Sequence, residues 1–527
     1  MATPAIYDSA LAGIRTAQAG LLATSENVAG ANVEGYVRRA PAVKTHSLAT
    51  NNIDLTGTSF AVEGFSRFFD SHLETQLLAQ SAKTTYSKTV SEASAVLDGM
   101  LTDSATGLAP AFGAFVNAAG SLVNEPGNIA FRQSLVGAAT ELATRIRNFS
   151  IENNRVQKNA LEGIASALNE VNSLAPQLAK INLQIRGASA PGSTPAPEIL
   201  DERDRLVGKI QELIGGNVRI DGDGTAIISV GGLIVVDKAS ANAFTDRNGV
   251  SPIPSGTGAT DLRLKIAETP DGQPVLSPLA MPVKSVIVNN QSISIPGPSF
   301  FDSGRVGAYL YLAQDFVPSN KRMLNALAAT LLYEVNGAKK GVHPQNTIPL
   351  FEFRSQNGGA AALDPSNFTG LFTKSAGPPA QYHSFNEVLD ITNPESPRFN
   401  KNAFDLLSTA SDASSFYGVP VLGSVESLDL DRTSAERIEA LRASLGNAIT
   451  TYTSSTATTL ASWANEVRAN EKLLSSLTTQ KESLSGVSLD EEAANLIKYQ
   501  QVYNASSKVL QVSKQLFDTL LAMLSTT

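Results

Sequence analysis

The sequence predicts an α+β multidomain protein: paired terminal helices forming a coiled coil, a mainly helical domain with β elements, and β-rich inserts. Three observations lead there. Apolar residues recur every seven positions at both ends of the chain, and long runs between the ends keep helical spacing. From Gly215 onward short apolar runs alternate with Asp-Gly and Gly-Gly pairs, the pattern of hairpins.

Taken in order, Thr3 to Ala29 reads as a helix in which Tyr7, Ile14, Leu21 and Val28 stand seven apart, with Ala10 and Ala17 beside them. Gly30 to Tyr36 breaks it. Residues 37–64 carry strand and turn chemistry around Val43, Lys44 and Thr45 and then the polar cluster Thr50-Asn51-Asn52. Arg67 and Asp70 open a second helical run, FSRFFDSHLETQLL, and read as a solvated ion pair at a helix start. Two further helices flank the turn Asn124-Glu125-Pro126-Gly127, and Pro176 is expected to kink or interrupt the longer one, from about Ile129 to Ile185. The linker GASAPGSTPAP leads into Ile199-Leu200-Asp201-Glu202-Arg203-Asp204, whose charges, with Arg205, read as a structural salt-linked face.

The β-rich insert spans about 215–304, and its Asp221-Gly222-Asp223-Gly224 piece is turn chemistry rather than a calcium loop. An EF-hand needs further ligands in register and Glu at the twelfth position, where Gly232 stands. Helix returns over Gly304–Val335, with Tyr309, Leu312, Phe316, Leu324, Leu327, Leu331 and Val335 as its buried face. Residues 346–419 read as a second irregular or β-containing insert. From Ser434 to Lys481 the helical spacing resumes, and Trp463 reads as a packing residue.

The last stretch, Ser485–Leu524, is the most regular. Leu489, Leu496, Tyr503, Leu510, Phe517 and Leu524 form one seven-residue row, and Val502, Val509, Leu516 and Met523 a second. Seven residues are nearly two helical turns, so both rows share one face. Ser488 and Glu491 have capping-box spacing, and Asp490, Glu491 and Glu492 suit the positive end of the helix dipole. Such a stripe is either an ordinary core helix or a coiled-coil seam, and the N-terminal row offers the seam a partner.

Composition narrows the function classes. At 527 residues the chain can bury several cores, and 42% apolar content is that of a globular protein. A net charge of −8 without a Lys/Arg stripe disfavours nucleic acid. With no cysteine there are no disulfides or thiolate metal sites. No apolar run has the length of a membrane span, and Asp8 and Arg15 interrupt the region where a secretory signal would carry its apolar core. His46, His72, His343 and His383 show no zinc spacing, and no nucleophile elbow, Walker A loop or dinucleotide fingerprint occurs. No catalytic, metal or cofactor residue is therefore assigned.

Ser485–Leu521 resembles the C-terminal signature of the hook-associated proteins at the hook–filament junction of the bacterial flagellum. The resemblance rests on Ser485-Gly486-Val487, Leu489-Asp490-Glu491-Glu492, Asn495-Leu496, Tyr499-Gln500-Gln501, Tyr503, Ala505, Val509-Leu510 and Phe517-Asp518. Asn27, Val28, Ala29, Asn32, Gly35, Tyr36 and Arg38 are similar to the N-terminal motif of the wider flagellar axial family, which rod and hook proteins share. Val335-Asn336-Gly337-Ala338 departs from the family, which has an Asn and then a His before a glycine turn.

The resemblance implies a nested fold with outward-facing inserts and four parts: residues 1–36 with 484–527, a terminal coiled-coil domain; 37–214 with 305–345 and 420–483, mainly helical; 215–304; and 346–419. It implies a structural role, joining hook to filament after type III export without a cleaved signal peptide. The implied partners are further copies in the axial tube, the hook protein, the next junction protein, and an export chaperone on the C-terminal helix. The expected assembly interface comprises Tyr7, Ile14, Leu21, Val28, Asn32, Gly35, Tyr36, Leu489, Leu496, Tyr503, Leu510, Phe517 and Leu524. The alternatives are a hook or rod protein, and, in another class, a coiled-coil adhesin or an enzyme decorating the flagellum.

Overall fold

A computed structural model describes residues 3–33, 35–47, 58–103, 105, 107–125, 128–188, 195–255, 262–268, 274–278, 286–288, 291–293, 300–320, 324, 327, 331, 352–354, 373–375, 381–382, 417–419 and 432–525. These fall into two compact units. The first comprises Met1–Tyr86, Ala165–Gly307 and Ala469–Thr527, and the second Ser87–Ile164 and Ala308–Arg468.

In the first unit, helix α1 (Thr3–Gly30) is followed by an antiparallel hairpin of β1 (Arg39–Ser47) and β2 (Thr58–Arg67), with a bulge at Ala42/Val43. Thr50-Asn51-Asn52 lies outside the described residues. Helix α2 (Ser71–Thr102) begins later than its sequence suggests, because β2 runs on to Arg67. Asp70 caps α2 by accepting the N–H groups of His72 (2.8 Å) and Leu73 (3.1 Å). The expected Arg67–Asp70 surface pair is thus corrected. Asp70 serves the helix end, while the Arg67 side chain is only 6% exposed and reaches carboxylates of another helix.

Helix α3 (Leu108–Asn124) precedes α4 (Ile129–Ala188), which continues through Pro176 without a break. The proline is exposed, while Val171, Ala175, Leu178 and Ala179 are buried on the other side. Packing of that face outweighs the loss of one hydrogen bond next to solvent. Helix α5 (Pro197–Ile214) opens with proline in its first turn, where no amide partner is lost. Its buried Leu206, Val207, Ile210, Leu213 and Ile214 mark the core face.

Within 215–304 the described residues form short antiparallel strands. Strands β3 (Asn217–Ile220), β4 (Ala226–Val230) and β5 (Leu233–Val236) form one antiparallel sheet, and β6 (Ala243–Thr245), β7 (Arg263–Glu268) and β8 (Pro274–Pro278) another. A two-stranded pair, β9 (Val286–Val288) with β10 (Gln291–Ile293), follows. The Asp-Gly-Asp-Gly piece is a turn: Asp223 accepts the backbone N–H (3.0 Å) and hydroxyl (2.6 Å) of Thr225, and Lys238 sits 2.6 Å from Asp221. Three asparagines of α4 bind the insert through paired hydrogen bonds. Each side-chain amide donates to, and accepts from, the backbone of one residue: Asn169 at Ile253, Asn172 at Phe244 and Asn182 at Ala226, all within 2.7–3.0 Å.

The second unit is built on helices. α3 buries Leu108, Phe112, Phe115, Val116 and Leu122, and its part of α4 buries Leu135, Leu142, Ile146 and Phe149. Helix α6 (Gly304–Tyr311) passes into a π-helical turn, Leu312–Phe316. Leu312, Phe316, Leu324, Leu327 and Leu331 of the predicted face are buried, Tyr309 is half-buried, and Val335 lies outside the described residues. Helix α7 (Arg432–Ser485) contributes Leu441, Leu445, Ile449 and Tyr452 to this unit's core, and Trp463 packs against Tyr311 with ring centroids 5.5 Å apart. Of the stretch 346–419, the described residues are short antiparallel pairs: β11 (Glu352–Arg354) with β14 (Tyr417–Val419), and β12 (Thr373–Ser375) with β13 (Gln381–Tyr382). Among the described residues no helix is long and apolar enough to cross a membrane.

Candidate assembly interface

The final helix, α8 (Leu489–Ser525), lies antiparallel to α1 within the first unit. The pairing of the two ends is the one expected. The residues that make the seam are different. At Gly20 a Cβ would overlap the Tyr499 ring, and at Gly13 it would overlap the Ser506 hydroxyl, so the two glycines let the helix backbones approach. Around them Ala10, Ala17, Ala23, Thr24 and Asn27 of α1 are buried, as are Glu492 and Ser513 of α8. Glu492, Tyr499, Ser506 and Ser513 are themselves seven apart. The seam is a row of small and polar groups, which apolar periodicity does not mark.

The large apolar rows stay on the outside. Leu489 is 59% exposed, Phe517 54%, Tyr7 47% and Val28 46%, and Leu496 and Tyr503 are exposed too. Ile14, Leu21 and Leu510 are half-buried, and the Leu524 side chain lies outside the described residues. Of the second row, Val502, Val509 and Leu516 are exposed. The helix pair therefore presents apolar stripes from both chain ends, far more than scattered single residues would give.

A polar cluster anchors the pair where α1 ends. Asn32 and Gly35 are exposed, and Gly35 turns the chain with φ +82°, a conformation that favours glycine. Tyr36 then folds back against Gly30, and its hydroxyl donates to Asn27 Oδ1 at 2.9 Å. Burial pushes the Tyr36 phenol up to about 12, opposed by the nearby Arg39 guanidinium. Asn27 in turn donates to the Arg39 carbonyl and accepts the Arg39 N–H, both at 3.0 Å.

Three arginines then pair with carboxylates of three helices, α1, α5 and α8. Arg38 pairs with Glu491 and Glu492, each at 2.7 Å, its backbone N–H donates to the Ser485 carbonyl at 3.1 Å, and its guanidinium lies over Phe68. Arg39, 4% exposed, pairs with Glu26 (3.1 Å), Glu198 and Asp201 (2.8 Å). Arg67 pairs with Asp201 (2.9 Å) and Asp204 (2.6 Å). The salt-linked face expected on α5 is present, but Asp201 and Asp204 turn inward to arginines of the N-terminal segment, while Glu202 pairs with Arg205 on the same helix. Burial raises the Asp201 carboxyl above its ordinary value, with Arg67 and Arg39 pulling the other way. The Arg205 hydrogen bond lowers that of Glu202. Only half of the expected capping box appears: the Glu491 N–H approaches Ser488 Oγ at 3.5 Å, while the Glu491 carboxylate is held by Arg38.

Two stretches that carry sequence signatures, more than 450 positions apart, thus meet through Arg38 and Glu492. Among the described residues no group of three or more His, Asp or Glu side chains is arranged to hold a metal ion.

Several known proteins are similar to this chain. The profile "Flagellar hook-associated protein FlgK helical domain" matches residues 94–346, and "Flagellar basal body rod FlgEFG protein C-terminal" matches 481–523. Flagellar hook-associated protein 1 of Escherichia coli K12 is 23% identical, over 98% of this chain and 99% of that protein. The Bacillus subtilis protein of that name is 22% identical, over 97% of this chain and 96% of its own length. The solved flagellar hook junction protein FlgK from Burkholderia pseudomallei is 18% identical, with a TM-score of 0.39 over 53% of this chain and 47% of that one. Over nearly its whole length the chain is thus similar to flagellar hook-associated proteins 1, which are structural components of the bacterial flagellum.

Proposed function

We propose that this chain forms the layer joining hook to filament, assembling through its terminal helices outside the cell after type III export without a cleaved signal peptide. One observation carries the reading: α1 and α8 are paired with each other, yet both leave rows of large apolar residues in water. Those rows have area to bury against neighbouring copies in the axial tube, against the hook protein and against the next junction protein, at about 25 cal/mol per Å² before ordering costs. Asn32, Gly35 and Tyr36 set the exit of α1 and thereby the placement of its row. In a deletion strain viewed by negative stain, this role requires intact hooks without filaments. Hook-less cells would assign the chain to the hook or rod, a reading to which the rod-type match over 481–523 gives some support.

The same rows need shielding before export, because exposed apolar stripes invite premature association. We infer that an export chaperone covers the Leu496–Leu524 face, so that chaperone binding and polymerisation exclude each other. In a pull-down, full-length protein should bind the chaperone, and both a chain ending at Ser483 and Leu510→Asp should lose it. Full binding by the truncated chain would put the chaperone site elsewhere.

A further inference from the structure

The seam between α1 and α8 repeats itself. Gly13, Gly20 and Asn27 stand seven apart on one helix, and Glu492, Tyr499, Ser506 and Ser513 on the other. A slip of seven residues toward the start of α1 would set Tyr499 against Gly13 and Glu492 against Gly20, again placing the side chains opposite glycine. Small seam residues offer little shape contrast to penalise that slip, and the apolar rows face away from the seam and cannot correct it. One contact at the helix pair has no equivalent seven residues along. Arg38 pairs with Glu492, whose side chain is 1% exposed, and with Glu491. Seven positions back from Glu492, where that slip would bring the chain, stands Ser485, which offers the guanidinium no carboxylate.

We propose that Arg38 and Glu492 are the register key of the terminal helix pair. A buried ion pair contributes little net stability, since desolvation offsets its attraction, but breaking it leaves an uncompensated charge. That asymmetry suits a device that rejects wrong alignments, and fixing register is the best-attested use of a buried polar or ionic contact at a helix seam. Arg38 is suited to it because the chain holds it on two further sides. Its N–H donates to Ser485 at the corner before α8, and its carbonyl accepts the Phe68 N–H at 3.0 Å. Register decides which residues of the α1 row lie beside which residues of the α8 rows, and so fixes the combined surface. The inference concerns one chain and stands whether or not the hook–filament reading holds.

The chain has no cysteine, so a label pair can be introduced cleanly. Ser9→Cys and Gln511→Cys put nitroxides on exposed positions of α1 and α8, far from Arg38. Electron–electron double resonance on the full chain should give one narrow distance. In Arg38→Gln, and separately in Glu492→Gln, a second population should appear, displaced along the helix by about 10 Å, seven residues of rise, with helicity by circular dichroism unchanged. Arg38→Lys, which keeps one charged contact, should stay narrow, and the exchange Arg38→Glu with Glu492→Arg should restore the single distance. An unchanged narrow distance in both glutamine variants overturns the proposal. So does a loss of helicity that the charge exchange fails to repair, because the pair would then serve stability rather than alignment.

Discussion

Helices α3 and α8 show two opposite uses of apolar residues in one chain. Over 17 residues, α3 buries Leu108, Ala111, Phe112, Phe115, Val116, Ala118, Ala119 and Leu122. Between Leu489 and Thr519, α8 buries Glu492 and Ser513, while its leucines, valines and phenylalanine remain in water or half-buried. Helix α3 is stabilised by the unit that contains it. In this single chain α8 is held by a polar anchor and a narrow seam, and its apolar rows remain exposed. A regular apolar stripe therefore shows that a helix has a partner, without saying whether the partner is the same chain.

The widest test of this contrast is amide hydrogen exchange on the dilute monomer. Residues 1–35 and 485–527 should exchange through local opening, whereas 130–185 and 434–480 should be protected up to the global stability, a span on the order of 5–15 kcal/mol. Equal protection in both groups would mean that α1 and α8 are as firmly held as α3. A pair of truncations sharpens the same point. Phe115→Ala, at a site with no exposure, should cost ~3–5 kcal/mol in urea unfolding. Phe517→Ala should stay within ~0.5 kcal/mol in the monomer and show its effect only in assembly. A Phe517 cost matching that of Phe115 would place Phe517 in a core of the single chain.

A smaller effect probes how the first unit holds its β insert. Asn182→Leu leaves the Ala226 N–H and carbonyl without their side-chain partners and should destabilise that unit by ~1–3 kcal/mol. An Asn172→Leu change, at a more exposed position, should cost less. If neither alters the melting of the first unit, the asparagine pairs do not fasten the insert.

The smallest effect is at high pH. The folded Tyr36 phenol is raised to about 12 from an ordinary value of 10.0. Its contribution to stability is therefore complete below pH 10 and is lost as the pH climbs through 12. In an absorbance titration, Tyr36→Phe should remove one late-ionising phenol and flatten the stability loss over that window. Loss of a phenol that ionises near pH 10 instead of a late one would show that Tyr36 is solvated and that the turn at Gly35 is open.

Much of this molecule is legible in the linear chain. Helical spacing marked α1, α4, α7 and α8, and the Asp-Gly and Gly-Gly pairs marked the strands of 215–304, because period and turn chemistry are local properties. The signature residues at both ends pointed to the family for the same reason. Local pattern failed where a residue's partner is remote. Arg67 reads as the mate of Asp70, three positions on, yet bonds to Asp201 and Asp204; Pro176 reads as a break, yet its helix persists because the opposite face is packed. The face of α8 that meets α1 could not be chosen from periodicity, since its apolar and its small-residue rows share the same seven-residue repeat. Close approach at Gly13 and Gly20, and the meeting of Arg38 with Glu492, depend on distances that only the folded chain defines. The sequence determined that both ends are striped helices, and the tertiary structure decided which face is used within the chain and which is left free, because burial belongs to the arrangement of neighbours rather than to the residue.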